Sequence, residues 1–265
     1  MKEVTKYPNY TFSWIDVATP DPESGKKFYC GLFGWEFKDE PVGDSGVYTM
    51  LSLNGKSVAG LSAMPPNEAD SMHGYWTSYA TTYDIEATIA RVADLGGTVV
   101  APPFDVMDAG RMALIQDPTG AMSAMWEPKN HIGSSLVNQF NTFSWNELLT
   151  TDRRAAADFY EALYGWEANY DDQASYTSFT NNGRAAAGML QITEDMGGIP
   201  SNWMVYFMVD DVDAYVEKAT KLGGGLMMPA FDAPGTGRIA MLHDPQGIAF
   251  YIIQFEGDVD DPPQG

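Results

Sequence analysis

Apolar and polar positions alternate with period two over residues 11–18 and again over residues 142–149, which predicts two short, half-buried strands. Each is followed by an aspartate, Asp21 or Asp152, where a helix N-cap belongs, because its carboxylate can accept an orphan backbone N–H. The period then becomes helical. Phe28, Tyr29 and Leu32 share one face, repeated as Phe159, Tyr160 and Leu163, and the helix stops at Gly34 or Gly165. Short strands follow near residues 47–53 and 58–64, and another opens at Trp76 or Trp203. A second helix, 85–95 or 212–222, ends at a Gly-Gly pair. Final strands flank an Asp-Pro-x-Gly turn, whose Pro and Gly suit a tight hairpin. Each half therefore reads β-α-β-β-β twice.

The two halves are copies. Phe12-Ser13-Trp14 returns as Phe143-Ser144-Trp145, and Leu32-Phe33-Gly34-Trp35-Glu36 as Leu163-Tyr164-Gly165-Trp166-Glu167, both shifted by 145 − 14 = 131. Asn54-Gly55 matches Asn182-Gly183 at 182 − 54 = 128. Gly110-Arg111 matches Gly237-Arg238, and Asp117-Pro118-Thr119-Gly120 matches Asp244-Pro245-Gln246-Gly247, at 244 − 117 = 127. So ordered a series marks a tandem duplication, and the drift in the shift places the deletions in loops. Domains are expected over residues 8–130 and 139–256, joined near 129–138, with an acidic tail over 257–265.

Charge and cysteine narrow the class. Thirty-six acids against 15 bases give a net charge of −21, which repels phosphate backbones and anionic membrane surfaces. The single cysteine, Cys30, excludes an intramolecular disulfide framework and a C-x-x-C zinc knuckle, and it is expected to be buried and inert. Residues 1–14 carry no apolar signal core, and no stretch approaches the ~18–20 apolar residues of a membrane helix. A cytoplasmic protein is expected.

Asp21, Phe28-Tyr29, Leu32-Phe33-Gly34-Trp35, Gly110-Arg111 and Asp117-Pro118-Thr119-Gly120, with their second copies, resemble the vicinal oxygen chelate superfamily. That superfamily includes glyoxalase I, bleomycin-resistance proteins and extradiol dioxygenases. The likeness covers the whole chain apart from the tail. It is greatest to two-domain glyoxalase-like proteins catalogued as hydroxylases, on the linker His131-Ile132-Gly133 and the opening Trp145-Asn146-Glu147-Leu148. It implies an α+β fold of tandem domains, each a curved mixed sheet of two βαβββ units around a cleft. One scaffold hosts isomerases, dioxygenases and drug-binding proteins, so the activity must come from the site.

Catalytic members of the superfamily chelate a divalent metal from the first strand of each unit and the last strand of each domain. Here those positions fall on Trp14 and Trp145, near Thr77 and Met204 within one residue, and on Ala124 and Tyr251. None of these is a usual ligand for zinc, iron or manganese, and His73, His131 and His243 are never paired at ligand spacing. The resemblance therefore implies a site without metal or other cofactor.

Aromatic residues take the vacated positions. Trp14, Trp76, Trp145 and Trp203 are candidate ligand-binding residues, and strand period puts Asp16 beside Trp14 and Glu147 beside Trp145 on one face. An indole beside a carboxylate can hold a flat or cationic organic molecule, at ~0.5–2 kcal/mol per contact. Trp14 and Trp145 can equally well fill core volume, which is the better reading for Trp35 and Trp166. Arg111 and Arg238 can clamp an anionic group, or pair with a carboxylate such as Asp16, Asp108 or Asp232. His243 is matched by Gln116 in the first copy, which argues against a shared catalytic role. Glu127 and Glu147 are candidate general bases if desolvated, Glu147 being the catalytic candidate.

The sequence thus points to a metal-free binder of a small aromatic or heteroaromatic metabolite or drug, with the second domain the more active. The rivals are a lyase, isomerase or oxygenase, metal-dependent through Glu147 and His243 or cofactor-free through Glu147, and a structural protein whose clefts are self-filled.

Overall fold

A computed structural model describes residues 2–42, 46–65, 74–173 and 175–257; His73 and tail residues 258–265 lie outside them. The first half runs β1 (Phe12–Thr19), α1 (Pro22–Phe33), β2 (Glu36–Pro41), β3 (Val47–Leu53), β4 (Lys56–Ala63), then β5 (Tyr75–Thr81), α2 (Ile85–Ile89), β6 (Thr98–Val106), β7 (Gly110–Gln116) and β8 (Met122–Pro128). The second half repeats it as β9 (Thr142–Thr150), α3 (Arg153–Tyr164), β10 (Glu167–Asp171), β11 (Tyr176–Asn181), β12 (Arg184–Gln191), β13 (Asn202–Met208), α4 (Val212–Lys221), β14 (Gly225–Ala233), β15 (Gly237–His243) and β16 (Ala249–Phe255).

Local chemistry sets the helix ends. The Asp21 carboxylate accepts from the Ser24 amide, and that of Asp152 from the Arg154 and Ala155 amides. Gly34 and Gly165 close the helices at φ 71° and 70°, a conformation that costs a side chain dearly and glycine nothing. Helix α2 is shorter than its pattern predicts. The Arg91 and Val92 amides bond carbonyls three residues back, at 3.2 and 3.1 Å, so regular α geometry tightens after Ile89.

Each half forms one mixed eight-stranded sheet, in the orders β2-β3-β4-β1-β5-β8-β7-β6 and β10-β11-β12-β9-β13-β16-β15-β14. The first strands of the two units, β1 and β5 or β9 and β13, run antiparallel at the centre. This is the expected α+β architecture of tandem βαβββ modules.

One core joins the halves. Ile15, Val17, Leu148 and Phe207 face it from the sheets, and Phe28, Tyr29, Phe159 and Tyr160 from the helices. Each helix packs on the other half: Phe28 meets Phe250 edge-on at 6.1 Å, and Lys218 Nζ donates to the Leu32 carbonyl at 2.8 Å. Burial of each large aromatic contributes ~1.5–3 kcal/mol. Trp35 and Trp166 belong to this core, as expected. Cys30 is half-buried rather than enclosed, with its thiol pKa pushed up by desolvation. The opposite face of each sheet carries its own small cluster. No helix is long and apolar enough to cross a membrane, among the described residues.

Candidate functional site

Strand alternation turns Trp14 and Asp16 onto the face away from the shared core, and Trp145 and Glu147 likewise. Neighbouring strands complete the arrangement. In the first half Trp14 Nε1 donates to the Tyr48 hydroxyl at 3.0 Å. Tyr48 donates in turn to Asp16 Oδ2 at 3.1 Å, and Tyr79 donates to the same oxygen at 2.9 Å. In the second half Tyr206 donates to Glu147 Oε1 at 2.8 Å, while the Tyr176 hydroxyl and Trp145 Nε1 meet over Gly188, which is in register with Glu147. Each half thus holds an indole, two phenols and one carboxylate, and the members correspond at the repeat's own shifts.

Glycine makes the arrangement possible. Tyr48 stands on β3 and must cross β4 to reach β1, and it crosses at Gly60, which is in register with Asp16. A Cβ there would collide with the Tyr48 hydroxyl; Gly188 and Tyr176 repeat the crossing.

Burial governs the electrostatics. Desolvation pushes Asp16 up to about 6, against hydrogen bonds from Tyr79, Tyr48 and Thr77 that pull it back. Glu147 is raised for the same reason, with Tyr206 and Tyr176 opposing. The Tyr48, Tyr79 and Tyr206 hydroxyls are pushed well above 10 by burial, so they stay neutral donors.

The donor set does not fit the metal that the fold family implies. Trp14, Tyr79 and Ala124 form one row across the first sheet, and Trp145, Tyr206 and Tyr251 the matching row across the second. Each half offers one carboxylate, and phenol donors engage it. Among the described residues no three of His, Cys, Asp and Glu come together. A divalent ion needs several imidazole, carboxylate or thiolate donors, and these rows supply indole, phenol and methyl groups. Glu147 and His243 do not form the metal pair considered above: Glu147 is engaged by Tyr206, and His243 Nδ1 lies 2.8 Å from the Asp244 carbonyl.

Register also corrects the second-unit positions. Thr77 and Met204 lie opposite Asp16 and Glu147, while the residues opposite Trp14 and Trp145 are Tyr79 and Tyr206, two positions further on. The pairing of two antiparallel strands cannot be counted along one of them. Tyr79 and Tyr206 were missed for this reason, and Tyr48 and Tyr176 because they reach the cluster from a third strand, although the equivalence of both pairs at shifts of 127 and 128 was available as a signal.

Other candidates lie elsewhere. Trp76 and Trp203 point into the shared core: Trp76 packs on Tyr29 at 5.2 Å, and Trp203 Nε1 donates to the Tyr160 hydroxyl at 2.9 Å. Period two places them on the opposite face from Asp16 and Glu147, so neither can touch a ligand in the clefts. Arg238 makes a two-pronged pair with Asp213, at 3.0 and 2.9 Å, and a third bond to Asp232. Arg111 pairs with Glu86 and Glu127 rather than with Asp16 or Asp108. Both arginines tie a strand to the first turn of the preceding helix of the same unit. Glu127 also accepts from the Ile85 amide.

The halves differ in what covers the row. In the first, the His131 ring stands edge-on to Trp14 at 4.5 Å and 88°, and burial lowers its pKa to about 4. In the second, Tyr251 stacks on Tyr206 at 4.4 Å, and half-buried Trp145 borders a cavity of about 710 Å³. Phe143, Phe255, Asn146 and Arg184 also line it from the second half, and Lys6, Asn9, Phe12 and Tyr83 close it from the first.

Comparison with known proteins agrees with this geometry. Residues 11–124 match the Glyoxalase/Bleomycin resistance protein/Dioxygenase superfamily, and residues 146–253 a glyoxalase-like domain. A Mycobacterium tuberculosis protein named "Putative glyoxylase CFP32" is 41% identical over 96% of this chain and 98% of its own. The anthracycline biosynthesis protein DnrV of Streptomyces peucetius is 32% identical over 95% of each chain. Among solved structures, the Mn(II)-bound glyoxalase from Novosphingobium aromaticivorans superposes with a TM-score of 0.64 at 14% identity, covering 98% of this chain and 88% of that one. The 2,3-dioxygenase LapB from Pseudomonas sp. KL28 gives 0.64 at 12% identity, covering 100% and 98%. Identity that low speaks for the fold alone. Two glyoxalase-like sheets, two matching domains and relatives aligned end to end make this chain a member of the glyoxalase/bleomycin resistance protein/dioxygenase superfamily.

Proposed function

We propose that the protein binds a small aromatic or heteroaromatic molecule in the second-half cavity, without a metal ion. The observation that carries this reading is Trp145: half-buried, it walls a cavity of about 710 Å³ while its partners in the row are side chains unable to chelate. That volume falls in the ~300–1,000 Å³ range of small-molecule sites. Phe143 and Phe255 add ring surface. The name of one relative also supports the reading, since anthracyclines are flat fused-ring aromatics.

Acid–base catalysis by Glu147 is less well supported. Its raised pKa suits a proton-transfer group, but phenols engage the carboxylate, and Glu147 does not line the cavity.

Calorimetric titration with flat neutral and cationic aromatics tests the proposal, using a hydroxyanthraquinone and an acridinium salt. Binding is expected to survive chelator treatment and to weaken roughly 3- to 30-fold in Trp145→Ala, as loss of one ring contact implies. Failure of every aromatic to bind, or binding that returns only with added Mn²⁺ or Zn²⁺, would sink it.

A further inference from the structure

In the first half the linker runs into the gap between the starts of β1 and β4. The Ser134 amide donates to the Ser13 carbonyl and the Ser135 amide to the Ser57 carbonyl, both at 2.7 Å. Ser134 Oγ donates to the Val58 carbonyl at 2.8 Å, and the His131 amide to the Ala109 carbonyl at 3.0 Å. The His131 ring stands edge-on to Trp14. Gly133, at φ 109°, passes so close to the Ser13 carbonyl that any Cβ would collide with it. The linker is a built-in plug.

At the repeat's shifts, Ser13, Trp14, Ser57, Val58 and Ala109 become Ser144, Trp145, Ala185, Ala186 and Thr236. All five second-half residues line the cavity. The cavity is therefore the counterpart of the plugged seat, and Ala185 and Ala186 widen it relative to Ser57 and Val58. The chain keeps the same path up to this point: the Glu256 amide donates to the Thr236 carbonyl at 2.9 Å, as the Lys129 amide does to Ala109 at 3.0 Å. The sequence then departs. Shifted by 127, Gly133 corresponds to Asp260 and Ser135 to Pro262. Aspartate carries the Cβ that this seat excludes, and proline has no N–H to donate. The plug's glycine and its amide donor are thus not repeated in the second-half sequence.

We infer that the second-half cavity takes a ligand that reproduces the linker's contacts: a flat ring edge-on to Trp145, joined to an arm with amide or hydroxyl donors. The donors meet the carbonyls of Ser144 and Ala185, and one ligand binds per chain because the first seat is filled. This rests on the aromatic-ligand reading and narrows it to arenes with a hydrogen-donating arm.

The test is calorimetry on the full chain with 2-naphthylacetamide and its donor-free N,N-dimethyl form. The primary amide is expected to bind at one site per chain and at least tenfold tighter. In a ¹⁵N-labelled, unmutated protein it should shift the amide signals of Ala185, Ala186 and Thr236 and leave those of Ser57 and Val58 in place. Equal affinity of the two compounds at a Trp145-dependent site would overturn this inference and leave the aromatic reading standing. Two sites per chain would overturn the plug, and binding of neither compound would count against both.

Discussion

The Tyr29 hydroxyl donates to Asp244 Oδ2 at 3.1 Å, from a helix of the first half to the Asp-Pro-x-Gly turn of the second. Tyr160 makes the reciprocal bond to Asp117 Oδ2 at 3.1 Å. The other oxygen of each aspartate already caps its own turn, Asp244 through the amides of Gln246 and Ile248 and Asp117 through those of Thr119 and Ala121. Two motifs that each half repeats are thus bonded to each other across the shared core.

Removing either phenol oxygen leaves a buried carboxylate atom short of a donor. Tyr29→Phe is expected to cost ~1–3 kcal/mol, read as a fall of roughly 2–4 °C in Tm per kcal/mol. Tyr160→Phe should cost more, because its oxygen also accepts from Trp203 Nε1. Negligible losses in both variants would show that the reciprocal bonds do not hold the halves together, and equal losses would show that the Trp203 bond adds nothing.

How much of this was legible follows from range in sequence. Asp21 and Gly34 act on amides within a few residues, so the helix ends could be read directly, as could the duplication. Asp117 and Asp244 read correctly as turn residues, but their second role depends on a helix from the other half. Trp76 and Trp203 show the same limit. Their strand was right, yet which face they present depends on register with β1 and β9, set by pairing across the sheet. The Trp14–Tyr48–Asp16–Tyr79 cluster draws on three strands, so only Trp14 and Asp16, neighbours on one strand, were visible together.

Gly60 and Gly188 are expected to tolerate no side chain. Gly60→Ala should destabilise the first half by ~1–3 kcal/mol through overpacking. Tyr48→Leu should recover part of that loss in the double variant, since the collision is with the phenol. Guanidinium unfolding of the four chains in a double-mutant cycle measures it. Strict additivity would mean that the glycine serves some other purpose.

Arg111 and Arg238 are expected to matter little to binding. The Arg238 partners are exposed carboxylates, so Arg238→Ala should change stability by no more than ~1 kcal/mol. Affinity for an aromatic ligand should stay unchanged. A loss of tenfold or more in the calorimetric titration would return the arginine to the binding site.

Asp16 and His131 flank Trp14 and should pull stability in opposite directions with pH. The folded state holds the Asp16 proton more tightly, up to about 6 against an ordinary 3.8. Its contribution therefore favours folding at low pH and is lost as pH rises through that interval, ~3 kcal/mol in all. His131 is held at about 4 against an ordinary 6.5, so it favours folding at high pH and loses its contribution as pH falls through its own interval, by a similar ~3 kcal/mol. Between about pH 4 and 6 the two slopes oppose each other. Asp16→Asn, which keeps an acceptor for both phenols, should make the chain lose stability faster on acidification than the parent. His131→Phe, which keeps the ring against Trp14, should make it gain stability on acidification relative to the parent. Denaturant midpoints at pH 4, 5, 6 and 7, taken as differences from the parent, cancel the background of other carboxylates. Parallel curves for both variants would mean that these two groups titrate normally, and with that the buried, water-excluding character of the Trp14 cluster would fail.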